Sequence, residues 1–139
     1  MFTIKRNTLS AEEFYHIFQA VGWTPPSIDQ VAKALENTIC SFAVYDDGKV
    51  IAMSRLLGDT AMSFYIKDFA VLPEYQAKGV GRILMEQIQL YIRERLPKDW
   101  KVSLELISTH GKEGFYSKFG FGIRPNENDG AGMFMMIEP

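Results

Sequence analysis

Residues 71–82 read Val-Leu-Pro-Glu-Tyr-Gln-Ala-Lys-Gly-Val-Gly-Arg, and they constrain the chain more than any other stretch. A strand-like apolar run leads in, Pro73 stops it, and a glycine-containing loop follows. A helix pattern then runs from Gly79 to Leu96, with Val80, Ile83, Leu84, Ile88, Tyr91 and Ile92 on one face. Helix N-termini carry unpaired N–H groups and partial positive charge, so they attract phosphates. Gly79 and Gly81 let a backbone approach an anion without a Cβ in the way, and Lys78 and Arg82 add charge. Cations at a helix N-terminus oppose the dipole by some tenths of a kcal/mol, a cost that makes sense if an anion sits there. Glycines in this spacing also suit an ordinary strand-to-helix turn. A dinucleotide fingerprint would need glycine where Leu84 stands, and no Gly-x4-Gly-Lys-Ser/Thr loop is present.

The flanking segments supply a sheet for that helix. Phe2–Lys5 is a short strand candidate. Ser10-Ala-Glu-Glu13 reads as a capping box opening a helix through Phe14, Ile17, Phe18 and Val21, ended by Gly22. Ser27-Ile-Asp-Gln30 opens a second helix, through Val31, Ala34 and Leu35. Ile39–Tyr45, Val50–Leu57 and Met62–Leu72 are rich in strand formers, and Asp46-Asp-Gly48 and Gly58-Asp59 supply the turns of an antiparallel meander. Val102, Leu104 and Leu106 alternate with polar residues as in a half-buried strand. A short helix over residues 111–119 follows, then strand candidates at Phe121–Ile123 and Met133–Ile137 around a polar loop. The order is that of a mixed α/β (α+β) fold built on one sheet.

Composition narrows the function class. The chain has 139 residues, the length of one domain, and its 47% apolar and 23% charged residues are those of a globular protein. A net charge of −2 argues against non-specific nucleic-acid binding. No apolar run is long enough to span a membrane, and no signal-peptide pattern precedes Ser10, so a cytoplasmic protein without membrane attachment is expected. One cysteine, Cys40, rules out an internal disulfide and reads as inert core. With His16 and His110 it cannot build a His/Cys zinc site without several carboxylates, so no metal is expected. No Gly-x-Ser-x-Gly elbow supports a hydrolase.

Val71-x-Pro73-x-Tyr75-Gln76-x-x-Gly79-x-Gly81 resembles the acetyl-CoA motif of the GNAT superfamily of N-acetyltransferases. Phe115-Tyr116-x-Lys118-x-Gly120-Phe121 is similar to the family's late helix-and-turn motif, and the interval between the two fits the family order. The likeness covers nearly the whole chain. It implies a single N-acetyltransferase domain over residues 1–139, a twisted, mostly antiparallel sheet of about six or seven strands with about four helices on both faces, splayed at the acetyl-CoA strand. It implies acetyl-CoA as cosubstrate. Phe69, Ala70 and Val71 would hold the pantetheine arm, and Gln76, Ala77, Lys78, Gly79, Val80, Gly81 and Arg82 the pyrophosphate. Tyr116 matches the tyrosine that protonates or positions the leaving thiolate. The position where many relatives carry a cofactor-contacting Asn is Thr109, whose hydroxyl can replace only one of the amide's hydrogen bonds.

Direct transfer to a primary amine also needs a base, because an ammonium has no lone pair. Asp68, Glu105, His110 and Glu113 are the candidates, and ordered water is the alternative to any of them. Asp68 lies on the cofactor strand, where strict alternation points it away from the face of Phe69. Trp23 falls where relatives wall the acceptor site, and Arg55 is a candidate for binding an acceptor carboxylate or, equally, for an Arg–Asp surface pair with Asp59. A small-molecule amine (amino acid, amino sugar or polyamine-like) is the expected acceptor. The other readings are a protein or peptide acceptor, at an N-terminus or lysine, and a non-catalytic acyl-CoA-binding module. The family is often dimeric, so a homodimer is the assembly the resemblance implies.

Overall fold

The computed structural model describes all residues, Met1–Pro139. Its backbone forms two compact units, Met1–Leu106 and Ile107–Pro139.

The first unit is a five-stranded sheet in the order β1-β2-β3-β4-β5. The strands are β1 (Phe2–Arg6), β2 (Cys40–Asp46), β3 (Lys49–Gly58), β4 (Ser63–Val71) and β5 (Ser103–Glu105). The first four pair antiparallel, and β5 adds in parallel to β4. Turn chemistry sets the meander. Asp47 and Gly48 both take positive φ, 51° and 81°, the geometry of the tight hairpin turn expected from Asp46-Asp-Gly48. At the next turn the Asp59 carboxylate accepts from the backbone N–H groups of Ala61, Met62 and Ser63 at 2.8–3.0 Å. Those hydrogen bonds, the one from Ser63 foremost, hold its pKa down to about 2. Asp59 is therefore a turn-former, and Arg55 finds a different partner.

Helices α1 (Ala11–Ala20), α2 (Ile28–Glu36) and α3 (Val80–Arg95) cover the sheet. The Ser10 capping box is complete, with Ser10 Oγ accepting from the Glu13 amide and Glu13 Oε1 accepting from the Ser10 amide, both at 3.0 Å. Ser27 Oγ caps α2 by accepting from the Gln30 amide. Cys40 through Val44 are buried without alternation, so both faces of the sheet centre are covered. The α1–α2 pair, through α1 on β3 and β4, and α3, packing across β1 to β4, supply that cover. Phe42, Ile51, Met53, Leu56, Leu84, Met85 and Ile88 are fully buried between them. Burial also raises the Cys40 thiol pKa.

The second unit contains one short helix, α4 (Glu113–Ser117), and no strand. The sheet thus has five strands, below the six or seven expected. Phe121–Ile123 and Met133–Ile137 have strand-like composition but join no ladder. Met133, Phe134, Met135, Met136 and Ile137 are instead 70–93% exposed. Strand propensity is realised only against a partner, and composition alone does not supply one.

Candidate active site

The site is built where β4 gives way to α3. β5 stops at Glu105, opposite Tyr65, whereas β4 continues to Val71. From Ile66 onward β4 therefore has only β3 as a strand neighbour. The β4–β5 ladder thus ends at Tyr65, on the strand where the family resemblance implies a splay. A 3₁₀ turn, Pro73–Tyr75, and the exposed residues Gln76–Gly79 then lead into α3.

Several contacts fix that loop. Gln76 Nε2 donates to the Val71 carbonyl at 3.0 Å, tying the loop back to the strand end. The Tyr75 hydroxyl donates to Asp46 Oδ2 at 2.8 Å, anchoring the loop to the β2–β3 hairpin. The Lys78 ammonium lies 5.6 Å from the centre of the Tyr75 ring. Sequence reasoning gave Tyr75 no role. Its partner, Asp46, is distant in the chain and reaches the loop only through the sheet.

The N-terminus of α3 lacks the usual cap. Gly79 is the cap residue at φ 83°, ψ 2°, no side chain bonds the first-turn amides, and no acidic residue stands in the first turn. A Cβ at Gly79 would meet nothing within 4 Å, so the space in front of its Cα is open. Ala77 also takes positive φ, 61°, a conformation that costs a non-glycine residue about 1–2 kcal/mol. A helix of this length with no side-chain cap, a left-handed entry, Lys78 before it and Arg82, paired with Glu86 at 3.4 Å, in its first turn has the donor set for a pyrophosphate.

Upstream, β4 is interrupted by a bulge. Ala70 faces Met53 and Lys67 faces Arg55, so Asp68 and Phe69 together oppose Ser54. Asp68 sits at φ 55°, in the left-handed region. The bulge upsets the alternation assumed for this strand. The Asp68 carboxylate turns to Arg55, whose Nε donates to Oδ2 at 2.6 Å, with both side chains only 12–13% exposed. The fully buried Ser54 hydroxyl donates across the bulge to the Lys67 carbonyl at 3.1 Å. Arg55 also donates to Thr38 Oγ1 at 3.4 Å and lies 6.0 Å from the Phe14 ring centre. Phe14 stacks on Phe18, and Trp23 meets Phe18 edge-on at 5.0 Å. Arg55, Asp68 and Trp23 are thus joined through one run of contacts. Glu105 is exposed at the end of β5.

In the second unit, Tyr116 is buried on α4, edge-on to Phe115 and Phe121. Burial pushes its phenol up to about 12. Thr109 is exposed, with its carbonyl accepting from the Lys112 amide at 3.1 Å. His110 is exposed and Glu113 half-buried.

Residues 37–123 match the profile of the acetyltransferase (GNAT) domain. The chain belongs to the GNAT acetyltransferase family. It is 30% identical over 125 residues to an uncharacterized ycf52-like N-acetyltransferase of Prochlorococcus marinus, an alignment covering 87% of this chain and 67% of that protein. It spans a smaller share of other curated GNAT relatives, 59% of the ycf52 N-acetyltransferase of Gracilaria tenuistipitata. Among solved structures, a probable acetyltransferase of unknown function from meticillin-resistant Staphylococcus aureus superposes with TM-score 0.86 at 30% identity, over 99% of this chain and all of that one. A GNAT family acetyltransferase from Streptococcus pneumoniae gives 0.80 at 31% identity over the full length of both. GNAT membership makes the protein an acyltransferase and implies acetyl-CoA as its cosubstrate. No three His, Cys, Asp or Glu side chains converge as a metal site, and no helix is long and apolar enough to cross a membrane.

Proposed function

We propose that the protein transfers an acetyl group from acetyl-CoA to the primary amine of a small molecule. The observation that carries the donor half is the N-terminus of α3, without a side-chain cap and reached through a short turn and loop from a strand that outruns its neighbour. In this reading the amides of residues 79–82 receive the pyrophosphate, and the β4 backbone at Phe69–Val71 aligns the pantetheine arm and polarises the thioester carbonyl. The amine nitrogen forms the new C–N bond, the C–S bond breaks, and the ammonium proton passes to a base or water. By the family resemblance, Tyr116 would supply the departing sulfur with a proton or a hydrogen bond.

The bulge geometry bears on the choice of base. Asp68 is already committed to Arg55, with Oδ2 accepting from Arg55 Nε at 2.6 Å, so that oxygen is not turned toward an acceptor amine. Exposed Glu105 or ordered water suits that role better. Likewise Arg55 has its Nε engaged, so the acceptor wall falls to the aromatic run Phe14–Phe18–Trp23, which favours a compact amine with an apolar portion.

Release of CoA thiol over a panel of small amines, lysine-containing peptides and peptide N-termini tests the proposal. Turnover confined to small amines is the expected result. Turnover only with peptides overturns the acceptor class, and tight acetyl-CoA binding without turnover of any amine makes the protein a binding module.

A further inference from the structure

The left-handed Asp68 needs an explanation. Where a residue of an antiparallel pair takes this conformation at a bulge, glycine is the usual occupant, because a side chain there is strained by about 1–3 kcal/mol. Here the position is aspartate, and its carboxylate makes a short, largely buried ion pair with Arg55 of the neighbouring strand. Arg55 is braced in turn. It donates to Thr38 Oγ1, which itself donates to the Ala34 carbonyl at 2.8 Å near the end of α2, and its guanidinium lies over Phe14 of α1. Ser54, the single residue opposite the bulge, closes it with its hydroxyl on the Lys67 carbonyl. A bulge rotates the strand beyond it, and the strand beyond this one is Phe69–Val71.

We propose that Asp68 and Arg55 are positioning residues. Their ion pair holds β4 in its bulged form and so sets the direction in which the Phe69–Val71 backbone presents its polar groups to the acyl donor. This rests on the acetyl-CoA reading of the site above. It assigns Asp68 a task other than base catalysis and Arg55 one other than acceptor binding.

Glycine separates these roles, because it accepts the left-handed conformation without a partner whereas alanine does not. Asp68→Ala is expected to lower kcat and acetyl-CoA affinity by about tenfold or more, the scale of a misdirected reacting group. Asp68→Gly, combined with Arg55→Met so that no buried charge is orphaned, is expected to recover at least half of that loss on a logarithmic scale. The Phe69 amide resonance of the ligand-free protein should move in the alanine variant and return in the glycine double variant. That readout needs no cofactor, so it stands even if wild-type protein fails to bind acetyl-CoA and the acyl-donor reading falls. Should the alanine variant not fold, Arg55→Met/Asp68→Ala replaces it, since it also leaves no unpaired charge. Glycine as damaging as alanine, with loss of the acidic limb of the pH–rate profile, would make the carboxylate itself the reacting group. A rise in the amine KM alone in Arg55→Met would put Arg55 in the acceptor site. Wild-type kcat and affinity in a folded alanine variant would leave the bulge without a part in the reaction. Each of these three results overturns the proposal.

Discussion

Within the proposed donor site, Gly79 is the residue with the strictest backbone requirement. Its φ of 83° is strained for any side chain, although a Cβ would find open space. Gly79→Val therefore acts on the ligand and the local backbone and leaves the core intact. Acetyl-CoA affinity measured by calorimetry is expected to fall about a hundredfold, with the far-ultraviolet spectrum unchanged. Tyr116 presents a different case. With its pKa pushed up to about 12 by burial, the phenol stays protonated at every working pH. Full transfer from such an acid to a thiolate whose thiol has a pKa near 8.5 is uphill by about 5 kcal/mol. In the proposed reaction, a hydrogen bond that strengthens as the C–S bond breaks is the role that suits such a phenol. Tyr116→Phe is expected to lower kcat by about 10²-fold, and the wild-type rate should show no falling limb from phenol ionisation up to about pH 11. A falling limb near pH 10 would contradict the burial effect.

At the scale of elements, α1 owes its start to Ser10 and carries Phe14 beneath Arg55. Ser10→Ala removes the cap bond and should cost about 1 kcal/mol of global stability, read as a lower denaturant midpoint at unchanged slope. The Ser10 capping box, the Ser27 cap (one-way, without the reciprocal bond a full box would add), the Asp-Gly hairpin turn and the apolar face of α3 were all legible in the sequence, because each is decided by residues within a few positions of one another. The bulge was not. Asp68 lacks the glycine that would have marked it, and its partner Arg55 meets it only once β3 and β4 are in register. The short β5 was foreshadowed by the alternation around Leu104, but its end at Glu105 was not. Met133–Ile137 misled in the other direction, with strand-like composition and no ladder.

Across the whole molecule, the seven methionines sort into two environments. Met53 and Met85 are fully buried in the sheet-and-helix unit, whereas Met1, Met62, Met133, Met135 and Met136 are at least 73% exposed. Brief peroxide treatment followed by peptide mass mapping should oxidise the exposed five and spare the buried pair. Protection confined to residues 133–136 would show that this segment is covered in solution, as it would be if it joined a sheet in an assembly.

The overrun of β4 past β5 has a cost as well as a use. A strand with a ladder on one side only is the kind of edge on which other chains nucleate aggregates. A pantetheine arm lying along that edge would occupy it much as another strand does. Solubility would then depend on acyl-CoA supply, and the ligand-free form would be the one prone to self-association in the test tube.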